Sequence, residues 1–90
     1  MQVQRQGEWL TATIGSECVM MSLDTGNYVS LSRVGTRIWE LIGQPTTVEA
    51  LCEQLTVEFD VSIETCKAEV EIFLAELVEH RAATLSPLTL

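Results

Sequence analysis

The sequence predicts an α+β domain, a winged helix-turn-helix with a three-stranded antiparallel sheet followed by three helices. Three observations lead there. Apolar residues recur with a period of two between Trp9 and Leu31 and with a helical period after Ser32. An Asp24-Thr25-Gly26-Asn27 stretch separates two apolar runs, as a hairpin turn does. Helix-start signals at Ser32, Thr46-Thr47 and Ser62 divide the remainder into three amphipathic segments.

In the first strand Leu10, Ala12 and Ile14 alternate with Thr11 and Thr13, and Gly15-Ser16 supplies a turn. Cys18 to Leu23 is a short apolar run, and after the Asp-Thr-Gly-Asn turn the extended pattern resumes at Tyr28, Val29, Ser30 and Leu31. Gly26 and Asn27 suit that turn because both accept a positive φ.

Ser32 caps a helix in which Val34, Ile38, Leu41 and Ile42 share a face with Trp39 beside it, ending at Gly43 with Pro45 just beyond. Gly35 weakens that helix, so a close backbone contact with a neighbouring element is its expected reason. Thr46-Thr47-Val48-Glu49 reads as a capping box for a second helix carrying Val48, Leu51, Cys52, Leu55 and Phe59. Ser62 starts the longest helix, with a stripe of Ile63, Cys66, Val70, Phe73, Leu74 and Leu77 reaching about Arg81. The chain is read as a single domain over residues 1–90 with its core over about 9–82, the polar start Met1 to Gly7 outside it and Thr84 to Leu90 as a loose tail around Pro87.

Thirteen acids against five bases give a net charge of −8. Ten of those acids fall between Glu40 and Glu79, where Lys67 is the single base. Nucleic acid is contacted through Lys and Arg that displace counterions from phosphates, so this balance argues strongly against it as a partner. It also argues against anionic membrane surfaces. No stretch approaches the ~18 apolar residues that span a membrane, and the polar start lacks a signal-peptide core, so a cytoplasmic location is expected. Cys18, Cys52 and Cys66 match no paired-cysteine spacing and lie among apolar residues, as buried reduced thiols do.

No catalytic set is found in the residue inventory. The lone His80 sits near the end of the third helix, where a cation complements the helix dipole. One histidine and scattered cysteines do not make a metal site, and the five glycines never approach a phosphate-binding spacing. Neither a cofactor nor a metal is expected, and the chain reads as no enzyme. A binding surface remains. The strand from Asn27 to Leu31 carries no charge and no proline, the devices that usually blunt a sheet edge. An extended peptide could add there as a further strand. Periodicity alone fits an open edge and a central or covered strand equally well.

The stretch Leu31-Ser32-Arg33-Val34-Gly35-Thr36-Arg37-Ile38-Trp39-Glu40-Leu41 resembles the PqqD-like family, in which a leucine and a glycine four residues on precede Ile-Trp-Glu-Leu. Thr47-Val48-Glu49, Phe59-Asp60-Val61 with Glu64, and Val70 with Phe73-Leu74 and Leu77 resemble its later segments in the same order. The likeness runs from about Cys18 to Val78. It implies a non-catalytic precursor-peptide recognition element, which binds the leader of a ribosomally made precursor for modifying enzymes. The leader would lie as a strand beside Asn27, Tyr28, Val29, Ser30 and Leu31. The third helix would close the cleft with Cys66, Lys67, Val70, Phe73, Leu74 and Leu77. The stand-alone type of lasso-peptide clusters, serving a leader protease and a cyclase, resembles this chain more than the type that serves a radical enzyme in quinone cofactor synthesis. A winged-helix transcription factor is the remaining alternative, and the acidic third helix speaks against it. The family ends that helix with Gly-Leu, where this chain has Glu79-His80-Arg81-Ala82-Ala83.

Overall fold

Strands β1 (Gln2–Arg5), β2 (Trp9–Ile14), β3 (Glu17–Ser22) and β4 (Tyr28–Leu31) lead into helix α1 (Arg33–Leu41). A short strand β5 (Thr46–Thr47) precedes helices α2 (Val48–Glu58) and α3 (Ile63–Glu79), and strand β6 (Ala83–Ser86) follows. The structure is a computed structural model that describes residues 2–15 and 17–86.

The expected meander forms, in the order β2-β3-β4. Cys18, Met20 and Ser22 of β3 point to the core, while Val19 and Met21 turn to the outer face. The β3–β4 turn rests on the buried Ser22 hydroxyl, which accepts from the N–H groups of Asp24 and Thr25 at 3.2 Å each. Gly26 alone takes the positive φ there, at 76°. Asn27 instead donates its N–H to the Thr25 hydroxyl at 3.2 Å. Ser16, expected in the preceding turn, lies outside the described residues.

Residues 2–5 and 83–86, with 46–47, depart from the sequence reading. They form a second antiparallel sheet, β5-β1-β6, with Val3 opposite both Thr46 and Leu85. Val3 is 1% exposed and Ala83 is likewise buried, so the core begins before Trp9 and extends past Ala82. Residues 84–86 are therefore strand and not tail, while Pro87 to Leu90 lie outside the described residues. A four-residue strand with one inward residue leaves too little period-two signal to read, which is why β1 and β6 escape detection.

The helices begin where the capping residues predict, with one shift. The hydroxyls of Ser32 and Ser62 accept from the N–H groups of Gly35 (3.0 Å) and Thr65 (3.3 Å). In α2 the cap is Thr47, which accepts from Ala50 N–H at 3.1 Å. The capping box starting at Thr46 does not form: Thr46 and Thr47 both pair with β1, the helix starts one residue later, and Glu49 is left as a first-turn acid that complements the helix dipole. Ile38 and Trp39 of α1 and Ile42 at its C-cap, Leu51, Cys52 and Leu55 of α2, and Cys66, Val70, Leu74 and Leu77 of α3 meet Met20, Val29 and Leu31 in one core. Ile63 was placed on that stripe by its spacing but is 55% exposed at the first position of α3.

Trp39 is a core residue, as its spacing suggested. Trp9 packs edge-on against it with ring centres 6.1 Å apart, and the Arg5 guanidinium lies 4.6 Å from its ring centre. Arg5 Nε also donates to the Trp39 carbonyl at 2.8 Å, so β1 is fastened to α1.

Candidate peptide-binding site

β4 pairs with β3 on one side and with no other described strand. The Ser22 N–H donates to the Asn27 carbonyl at 2.9 Å, which fixes the phase of this antiparallel ladder. Alternate residues share an orientation, so Val29 and Leu31, with the carbonyl of Asn27, spend their main-chain groups on β3, while the Asn27 N–H is taken by the Thr25 hydroxyl. The N–H and C=O of Tyr28 and Ser30 face the free edge. The edge has no charge or proline to blunt it. β2 is also free on one side, but only β4 runs directly into the helix turn that meets α3.

The side chains of β4 divide by face. Val29 and Leu31 are buried and anchor the strand to the core, whereas Tyr28 is 69% exposed on the outer face and Ser30 is exposed beside it. Asn27 is exposed at the strand's start.

α3 supplies two different flanks. Cys66, Val70, Leu74 and Leu77 are buried, so they support the site from beneath and do not line it. Phe73 is half-buried, and its ring lies against Gly35 in the first turn of α1, just beyond the end of β4. Lys67 stands about 120° around the helix from Phe73 at the helical step of roughly 100° per residue. It lines a separate cleft of about 350 Å³ with Val48, Glu49, Glu71, Leu74 and Leu85, on the side facing α2 and β6. The structure thus brings Phe73 to the β4 side and leaves Lys67 away from it.

Two residues outside the sequence-derived set belong to this flank. Ile72, 64% exposed, adjoins Phe73 on the solvent side, where an apolar residue off the core stripe was a signal available in the sequence. Gly35 is the other, and the close contact that its position in a helix suggested is the one with Phe73. Glu69 and Glu76, exposed on the same flank, give the approach to the site a negative charge.

Away from the edge, ionisable groups hold the scaffold together. Arg37 donates to both carboxylate oxygens of Glu58 and ties α1 to α2. Hydrogen bonds from Arg37 and then Gln54 draw the Glu58 carboxyl below the ordinary carboxylate range. The thiols of Cys18, Cys52 and Cys66 are free and buried. Burial first, and a hydrogen bond with the Cys66 thiol second, push Cys52 up to about 11, so at neutral pH it stays a protonated core residue. Among the described residues no cluster of three or more His, Cys, Asp or Glu could hold a metal ion. No described helix is long and apolar enough to cross a membrane.

The sequence pattern of the family described as coenzyme PQQ synthesis protein D (PqqD) matches residues 17–82, more than two thirds of the chain. The chain belongs to the PqqD family. Two solved structures share its fold. One, described as TbiB1 in complex with the TbiA(beta) leader peptide, is 27% identical, with a TM-score of 0.76 over 93% of this chain and 98% of that one. The other, described as lasso peptide synthetase B1 complexed with the leader peptide, is 17% identical, with a TM-score of 0.76 over 92% of this chain and 98% of that one. No curated protein matches the chain. The PqqD match begins after β2, whereas the structural likeness extends beyond residues 17–82 into the terminal segments. The PqqD fold here is an α+β domain with a β2-β3-β4 wing and three helices.

Proposed function

We propose that the chain is a non-catalytic, cytoplasmic recognition domain. It captures the leader segment of a ribosomally synthesised precursor by strand addition to β4 and presents it to modifying enzymes. The observation that carries this reading is the open, uncharged β4 edge, with Tyr28 and Ser30 turned outward, next to the half-exposed Phe73. Main-chain bonds at such an edge supply affinity, and side-chain pockets supply selectivity. Phe73, Ile72 and Tyr28 provide apolar contact on either side of the edge, and the buried Cys66, Val70, Leu74 and Leu77 keep α3 in place behind it.

The solved relatives, both described as complexes with leader peptides, support a lasso-type role, in which the partners are a leader protease and a cyclase. The family's description supports a second reading, a chaperone that serves a radical enzyme in quinone cofactor synthesis. DNA is disfavoured because Glu64, Glu69, Glu71 and Glu76 are all exposed along α3. Fluorescence polarisation with labelled synthetic leader peptides of lasso-type precursors is the test. Saturable leader binding is expected, with none to duplex DNA at physiological salt. Tight DNA binding with no response to the leader would reverse the assignment.

A further inference from the structure

We infer that Gly35 is a positioning residue of the leader cleft: its missing methyl lets the Phe73 ring lie back against α1 and so keeps space open beside β4. The inference rests on the leader-binding reading. β4 ends at Leu31, Ser32 caps α1, and Gly35 is buried in the first turn of that helix. A Cβ on Gly35 would sit 3.3 Å from both Cε1 and Cζ of Phe73 and 3.4 Å from the Ser32 hydroxyl oxygen. Carbon atoms prefer about 3.5 to 4.0 Å, so the ring would have to give way.

The direction of that movement follows from the packing. α3 is fixed by the buried Cys66, Val70, Leu74 and Leu77, so the ring turns before the helix shifts. Its inner side is closed by the core and by α1, and its exposed side faces outward. A methyl at position 35 therefore pushes the ring by a few tenths of an ångström away from α1, toward its exposed side.

The backbone gives no other reason for this glycine. Gly35 does not take a positive φ, in contrast to Gly7, Gly15 and Gly26. Alanine is the better residue in a helix interior. Space for the ring is what remains.

The test measures binding of the labelled cognate leader to the parent, Gly35→Ala, Phe73→Leu and the double variant, with thermal unfolding in parallel. Gly35→Ala is expected to weaken binding about tenfold, because the displaced ring meets the docked leader. Its unfolding temperature should hold or rise, which a merely structural role would not produce. With Phe73→Leu already present, the added Gly35→Ala should change binding by less than about twofold, because the ring it displaces is gone. Parent-like binding by Gly35→Ala would overturn the inference, and so would losses that simply add in the double variant. Failure of Gly35→Ala to fold, with or without Phe73→Leu, would assign the contact to the fold and not to the cleft. If the parent itself did not bind the leader, the leader-binding reading would fall and this inference with it.

Discussion

Arg81 has a backbone conformation that suits glycine. Its φ is 60°, its N–H donates to the Val78 carbonyl at 3.0 Å, and the Ala82 N–H donates to the Leu77 carbonyl at 2.7 Å. These two bonds make a Schellman end for α3, with Arg81 in the left-handed position. The related family pattern has Gly-Leu in this place, so the departure noted in the sequence is a local strain and not a change of fold. Arg81→Gly should raise stability by about 0.5 to 1 kcal/mol, since relief of left-handed strain exceeds the extra entropy of an unfolded glycine. In a domain of this size that corresponds to roughly 2 to 8 °C in the thermal midpoint. A lowered midpoint would show that the Arg81 side chain contributes more than its backbone strain costs. At the same scale, Phe73 was legible as part of an apolar stripe, but nothing in the spacing distinguished it from Val70 or Leu74, which are fully buried.

β4 makes its contribution as an element, through the alternation of its main chain. Val29 and Leu31, with the Asn27 carbonyl, are spent on β3, so a docked strand would bond to Tyr28 and Ser30. A scan of single N-methyl groups along the leader should therefore show a period of two. Methylation of an amide that faces Tyr28 or Ser30 should weaken binding about tenfold, the effect of one lost hydrogen bond of ~1.4 kcal/mol. The intervening amides, which face away, should tolerate the group much better. Surface plasmon resonance would read these losses mainly in the dissociation rate. A leader that tolerated methylation everywhere would not be docking at this edge. The uncharged character of β4 was legible in the sequence, but whether its second side was free was not, because sheet order is a tertiary property.

At the scale of the whole molecule, residues 2–5 and 83–86, near the two termini, are part of the fold. β1 lies between β5 and β6, Val3 enters the core, and Arg5 grips Trp39. A charge at Val3 would be buried without a partner. Val3→Asp should accordingly lower stability by at least ~3 kcal/mol, or prevent folding. Gln4→Asp, on the exposed face of the same strand, should stay within about 0.5 kcal/mol of the parent. Denaturant unfolding of both variants separates the two cases. Equal tolerance would mean that β1 is dispensable to the core. The negative charge is also unevenly placed, since α3 exposes Glu64, Glu69, Glu71, Glu76 and Glu79 while β2 and β4 carry none.

The sequence by itself determined the wing of three strands, the three helices with caps at Ser32 and Ser62, most of the core, and the net negative charge. Each of these follows from period, capping chemistry or charge, which are local quantities. The family likeness was legible in the segment from Leu31 to Leu41. Only the tertiary structure decided which of those residues are buried and which stay exposed near the free edge of β4. Cys66, Val70, Leu74 and Leu77 share a stripe with Phe73, yet they are buried, and Lys67 lies around the helix in another cleft. A helix's angular order is written in its sequence, but the position of its neighbours is not. The sheet formed by β1, β5 and β6 was hidden for the same reason: its strands are short, distant in sequence and held by pairing across the whole chain. The Gly35 contact with Phe73 joins residues 38 positions apart, so the need for a glycine could be suspected from α1 alone, but its purpose required α3 in place.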